Sequence, residues 1–306
     1  MRSVNECFDN VKEDYFKFLN KEKILGKSKA EKIKSLKKIY IPMSFWIDNK
    51  YKKKGETLFL GFCGGQGSGK TTATRILKII LTKFFERRIH VSSIDEFYKT
   101  SKDRIKMAKK IHPLFKTRGV PGTHDINLIK NFFDIIKKKK FKKIKLPKFE
   151  KAADNRLKKK YWYNIKQKPE IVILEGWCVG ARPQSSSLIK KPINILEKYE
   201  DKDLKWRKYV NEKLRKDYKK LFAMIDHNIF MKIPNFKMVF KWRLLQENKL
   251  KKKSHLNKKI MSYNGIKRFI MFYERITLQM IKDLSKSASV VMLLKKNHEI
   301  KKVLFR

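Results

Sequence analysis

The sequence predicts a doubly wound α/β fold, a mostly parallel sheet with helices on both faces, preceded by a helical N-terminal extension. Three observations carry that expectation. Short apolar runs at 58–63, 89–94, 171–174 and 289–294 alternate over about 240 residues with segments whose apolar positions recur at helical spacing. A glycine-rich turn joins the first run to the first of those helices. Acidic residues, scarce in this chain, stand at the ends of the runs.

Taken in order, residues 1–55 read as a charged helical extension with Phe8, Tyr15, Phe16, Phe18 and Leu19 as an apolar stripe. Its one apolar patch, 39–46 (IYIPMSFW), is broken by Pro42, and 49–55 (NKYKKKG) reads as the connection into the first strand. Residues 56–306 form the second unit. It opens with LFLGFCGGQGSGKTT, in which Gly64, Gly69, Lys70 and Thr71 satisfy the spacing of a phosphate-binding loop. A loop that wraps a triphosphate turns its N–H groups inward. Gly64, Gly65, Gly67 and Gly69 are expected to supply the positive φ angles this needs, and Gln66, Ser68 and Thr72 complete the nucleotide-binding stretch. The following helix, with Ala73, Ile76, Leu77, Ile80, Leu81 and Phe84 on one face, aims its N-terminus at the same phosphates. Lys70 would reach the β and γ phosphates, and the Thr71 hydroxyl would take a position on magnesium.

The second strand, 89–94, ends in Asp95, and ligands of such sheets bind beyond the carboxyl ends of the strands. Asp95 is the candidate general base that orients an alcohol and accepts its proton, with a helix cap as the alternative. The loop TRGVPGTHD then gathers Arg118 and His124 as anion ligands, with Asp125 as ligand or cap of the helix through Leu128, Ile129, Phe132, Phe133 and Ile136. After the solvated run KKKKFKKIK, residues 147–156 read as a loop holding Glu150, Asp154 and Arg156. The strand at 171–174 ends in Glu175, placed to support the magnesium ion, and Gly176 is expected to turn the chain beneath the phosphates. Helices at 204–224, 236–250 and 260–284 and strands at 227–233 and 289–294 complete the pattern. Arg243, on the second of these helices, is either a lid over the phosphates or a surface arginine.

Composition bounds the alternatives. Hydrophobic content of 42% is globular, and Cys7, Cys63 and Cys178 are scattered, without metal-ligand spacing, as in a reducing compartment. With Glu6, Asp9, Glu13 and Asp14 near the start and no run of about eighteen apolar residues, the expected location is the cytoplasm. The formal net charge of +49 would attract any polyanion, but lysine outnumbers arginine several-fold and is spread along the chain, so nucleic-acid binding is expected to be non-specific. A nucleic-acid-associated nucleotide-binding protein and a nucleotide-responsive regulatory module without acceptor remain the rival readings.

In the order GGQGSGKTT, SSIDEFYKT, TRGVPGTHD, LPKFEKAADNR, VILEGW, FKWRLLQE and FYERIT, the chain resembles the D-glycerate 3-kinase-like proteins. These sit with the uridine kinase, phosphoribulokinase and pantothenate kinase group, all of the phosphate-loop NTPase fold. The resemblance implies ATP and Mg²⁺ and a small hydroxylated acceptor, D-glycerate first and another metabolite such as a nucleoside second. It places Asp95 as the base, Arg118, His124 and Asp125 near the acceptor, and Glu150 and Arg156 in an acceptor-site motif. Asp154 stands where uridine kinases carry a histidine, which departs from a uridine site.

Overall fold

Every residue of Leu58–Gly64 (β1) is buried, because the strand lies in the middle of a six-stranded sheet with both faces covered. The structure is a computed structural model describing residues 3–24, 28–253 and 261–306. Three helices precede β1: α1 (Val4–Lys21), α2 (Lys29–Ser35) and α3 (Ile41–Lys54). Ser3 and Ser28 cap the first two through reciprocal bonds with Glu6 and Glu31. Pro42 does not break this region. It is carried inside a helix that runs on from the π-helical turn at Leu36–Tyr40, where Ile41 N–H bonds to the Leu36 carbonyl, and that widened turn accommodates a residue with no N–H to donate. Residues 49–54 likewise continue α3, which ends at Gly55 with φ 72°.

Beyond β1 come α4 (Lys70–Lys83), β2 (Ile89–Ser93), α5 (Ser101–Lys110) and α6 (Ile126–Lys137). The lysine-rich stretch that follows is two nested hairpins rather than a loop. The outer pairs β3 (Ile144–Leu146) with β6 (Tyr163–Ile165), and the inner pairs β4 (Phe149–Glu150) with β5 (Asn155–Arg156). Then follow β7 (Ile171–Gly176), α7 (Ser186–Lys190), α8 (Ile195–Tyr199), α9 (Lys205–Lys213) and α10 (Lys219–Phe222). The chain closes with β8 (His227–Lys232), α11 (Lys237–Lys253), α12 (Tyr263–Ser287), β9 (Val290–Leu294) and β10 (Ile300–Phe305).

Strand order is β10-β9-β8-β1-β7-β2, parallel except for β10, which pairs antiparallel with β9 at the edge. Alternation along the strands supplies two cores. Phe59, Cys63, Val172 and Leu174 face the layer containing Phe132, Phe133, Leu214 and Met280. Leu58, Leu60, Phe62, Ile171 and Ile173 face α1, α3, α4 and α11 through Val11, Ile47, Leu77 and Trp242. The N-terminal helices thus share a core with the helix that begins at Lys70. The chain leaves β1 for β2, skips the place later filled by β7, and returns on the other side to β8, so the switch of direction opens beyond the carboxyl ends of β1 and β7.

Candidate active site

The glycine-rich loop emerges at that switch point. Its glycines divide by physical need. Gly67 (φ 74°) and Gly69 (φ 93°) adopt the left-handed conformation, whereas Gly64 and Gly65 do not. Gly64 is small because the loop runs close against β8: a Cβ there would stand 2.9 Å from both the Cβ and the carbonyl oxygen of Met231. Gly65 faces Ile233 at the same distance, where a flexible side-chain end could give way. Gly69 starts α4, so the free N–H groups of its first turn face the loop. Lys70 Nζ donates to the carbonyls of Gly64 and Gly65, each at 3.0 Å. Burial pulls its pKa down, and the charges of Glu175 and Asp95 oppose that. Ser68 Oγ and Gln66 Oε1 in this loop are buried polar atoms without a hydrogen-bond partner among the described residues, and Thr72 follows half-buried in the first turn of α4.

Two carboxylates converge beside it because β7 lies between β1 and β2. Ser93 pairs with Glu175, so Asp95, two residues on, lies in the 3-10 turn Ile94–Phe97 next to the tip of β7. Glu175, 5% exposed, accepts from Thr71 Oγ1 at 2.9 Å and from Thr74 Oγ1 at 3.3 Å. This set of hard oxygens suits a magnesium ion. Thr74 was invisible as a site residue in the sequence, where it is one more residue of the helix. Gly176 makes no turn; it completes β7, and a Cβ there would stand 2.5 Å from Ile94 Cγ2. Asp95 Oδ1 accepts from Tyr98 Oη at 2.9 Å, and Oδ2 lies 3.5 Å from Lys151 Nζ. Burial would push the Asp95 pKa up, but Lys151, His124, the Tyr98 hydrogen bond and Lys70 together hold it below the usual carboxylate range. Neither Tyr98 nor Lys151 was singled out by the motifs.

The residues expected at the acceptor come together around Tyr98, though mostly bonded to one another. Tyr98 and His124 form an isolated antiparallel bridge, and their rings stack at 4.5 Å. His124 is buried, and burial first of all lowers its pKa to about 4. It therefore offers a hydrogen bond and not the positive charge expected of an anion ligand. Arg156 donates from Nη2 and Nε to the Tyr98 carbonyl at 2.8 and 3.1 Å and lies 3.4 Å from Asp125 Oδ2. Asp125 caps α6 through Leu128 N–H. Arg118 is bonded to Asp154 and lies over the Phe149 ring. Glu150 is exposed at the inner hairpin, where Oε1 accepts from Ala152 N–H at 3.1 Å. Arg243 is bound to the nearly buried Glu247 on its own helix, which anchors the expected lid arginine. Its charge and that of Arg118 both act on Tyr273, whose hydroxyl donates to the Arg118 carbonyl at 3.3 Å.

No protein-family model matches the chain. Among curated proteins, the uncharacterized kinase mug58 of Schizosaccharomyces pombe is 29% identical over 241 residues, covering 74% of this chain and 82% of that protein. The probable ATP-dependent kinase TDA10 of Saccharomyces cerevisiae is 31% identical over 231 residues, covering 69% and 72%. The chloroplastic D-glycerate 3-kinase of Arabidopsis thaliana is 27% identical over 225 residues, which are 68% of this chain and 47% of that protein. Among solved structures, D-glycerate 3-kinase from Cryptococcus neoformans superposes with a TM-score of 0.73 at 22% identity, covering 88% of this chain and 99% of that one.

Proposed function

The chain belongs to the D-glycerate 3-kinase-like family of phosphate-loop kinases, and from that premise we propose that it transfers the γ-phosphoryl group of ATP to a hydroxyl of D-glycerate. Its relatives are named as kinases, one of them as a probable ATP-dependent kinase. The observation that carries the reading is the convergence of Lys70, Glu175 and Asp95 at the ends of adjacent strands, with Asp95 ionised.

Asp95 accepts the proton of the acceptor hydroxyl while the hydroxyl oxygen bonds to the γ-phosphorus and the bond from that phosphorus to the leaving ADP breaks. Tyr98 fixes one carboxylate oxygen by its hydrogen bond, and the other, 3.5 Å from Lys151 Nζ, is the one left to take the proton. Lys70 and the backbone N–H groups of 64–71 bind the phosphates, and the buried Ser68 hydroxyl in the loop supplies a further donor. Thr71 and Glu175 would hold Mg²⁺, which when bound offsets charge on the phosphates; Thr74 positions Glu175. Arg243 reaches the phosphates only by releasing Glu247, which makes it a closing residue. A carboxylate acceptor is supported by two cations near the base, Arg118 over the Phe149 ring and Lys151 beside Asp95.

The test is ADP release from magnesium-ATP against a panel of small hydroxy acids, nucleosides and sugars, with a polynucleotide included. We expect D-glycerate to stimulate release and Lys70→Ala to abolish the stimulation while the protein stays folded. Stimulation by the polynucleotide alone would overturn the assignment.

A further inference from the structure

A contact from the last hairpin of the chain to the phosphate loop has no place in the mechanism above. Between β9 and β10 the chain turns at residues 295–299, closed by Lys295 N–H to the Glu299 carbonyl at 2.7 Å and by His298 N–H to the Lys295 carbonyl at 3.2 Å. His298 takes φ 66° in that turn. Its ring stacks on Trp242 with centroids 4.2 Å apart, and its Nε2 lies 2.8 Å from the carbonyl oxygen of Gly67. A carbonyl can only accept, so Nε2 carries the proton and donates. Trp242, 1% exposed, ties the assembly to α11: its indole N–H donates to the Lys296 carbonyl at 3.0 Å. Its Cβ also stands 2.8 Å from where a Cβ on Gly67 would be.

The peptide between Gly67 and Ser68 is therefore held at both edges. Its carbonyl is bonded to His298, and its N–H donates to the Gly65 carbonyl at 3.2 Å. Gly67, like Gly69, sits in the left-handed region without a Cβ (φ 74°) and has correspondingly more conformational freedom to lose than a residue with a side chain. Ordering it before the nucleotide arrives removes a cost that binding would otherwise bear.

We propose that His298 and Trp242 are positioning residues that preset the phosphate loop for the nucleotide through Gly67. The proposal rests on reading 64–71 as the nucleotide site. It places the β9–β10 turn, remote in sequence from the loop, in control of nucleotide affinity while leaving the proton-transfer step to Asp95.

Full-length protein is titrated with a fluorescent ADP in the presence of magnesium, as wild type, His298→Ala and His298→Gln, with the thermal midpoint of each recorded. One lost hydrogen bond predicts an affinity about five- to tenfold weaker for His298→Ala. His298→Gln, whose amide can donate to the same carbonyl, should recover most of it, and neither midpoint should move appreciably because His298 is exposed. Equal affinities in all three proteins overturn the proposal and leave the nucleotide site standing. A loss in His298→Ala that glutamine does not restore, or one that follows a fall in midpoint, also overturns it. Absence of ADP binding by wild type removes the nucleotide site itself, and the proposal with it.

Discussion

His124 lies between the stacked ring of Tyr98 and the hydroxyl of Tyr218, which is 2.6 Å from Nδ1. The Tyr218 oxygen already accepts from Gly122 N–H at 3.0 Å. Tyr218 and His124 Nδ1 thus share one hydrogen bond, while His124 Nε2 is buried with no partner among the described residues, so the protonated ring has an N–H there without an acceptor. Burial, aided by Lys99 and opposed by Asp95, lowers the pKa to about 4. The folded value is below the ordinary 6.5 of the free side chain, so between the two the unfolded chain binds a proton that the folded chain refuses. Stability should accordingly fall as pH drops from about 6.5 towards 4, by about 2 kcal/mol from this residue near pH 5, and level off below. Urea unfolding near pH 7.5 and pH 5 checks it: His124→Gln should start less stable yet lose less on acidification. An equal loss would show that His124 does not carry the effect. His90, lowered to about 4 by burial and Lys78, keeps part of the slope in the variant. The motif made His124 visible as a site residue, but its charge depends on tyrosines far along the chain, and no local pattern reports them. Asp95 and Glu175 were legible for the opposite reason: a carboxylate at the tip of a buried parallel strand has few other places to point.

The nested hairpins show at the level of elements where pattern reading stops. The strands β1, β7 and β9 are continuous apolar runs because both sheet faces are covered, and such runs are plain in a sequence. The hairpin strands are two or three residues long and mix apolar with polar residues, and β10 is half-exposed at an edge, so none carries that signal. The hairpins are held instead from α5. Arg104, 1% exposed, donates to the carbonyls of Lys116 and Asp154 at 2.8 and 2.7 Å and pairs with the Asp154 carboxylate at 2.9 Å. Asp154 itself adopts φ 50°, and its second oxygen takes Arg118. Its carboxylate thus serves as a brace between two arginines. Lysine in place of Arg104 cannot fork to these acceptors, and stranding buried carbonyls costs about 1–3 kcal/mol. Arg104→Lys should therefore speed native-state trypsin cleavage within residues 137–168 by about tenfold or more, with other sites little changed. Unchanged cleavage there would mean that the hairpins stand without this brace.

Over the whole molecule, 78 basic residues face 29 acidic ones, and the buried acids other than Glu175 are drawn into bracing arginines. Glu197 holds Arg275 at 2.6 Å and Arg207 at 3.4 Å, Asp201 holds Arg207 at 2.7 Å, and Asp48 holds Arg87 at 2.7 Å. These pairs have little solvent around them and are weakly screened by salt. Much of the lysine excess is different: it lies exposed on solvated helix faces and along the hairpins, with too few carboxylates to neutralise it. Folding gathers that charge into a smaller volume, and the repulsion works against the compact state. At about 0.15 M salt the Debye length is about 8 Å, short enough to mute repulsion between surface lysines while leaving the buried pairs intact. Thermal unfolding should therefore shift to higher temperature by several degrees as NaCl rises from about 0.02 to 0.3 M, where a protein of balanced charge would move little. Binding of a polynucleotide should weaken steeply over the same range, because it depends on counterion release. ADP release stimulated by the proposed acceptor should survive at salt that abolishes polynucleotide binding, since the residues proposed to carry it, Lys70, Asp95 and Glu175, stand at the strand ends and not among the exposed lysines. A midpoint that fell with salt would mean that surface ion pairs outweigh repulsion in this chain. A turnover lost together with polynucleotide binding would instead tie the +49 charge to the reaction.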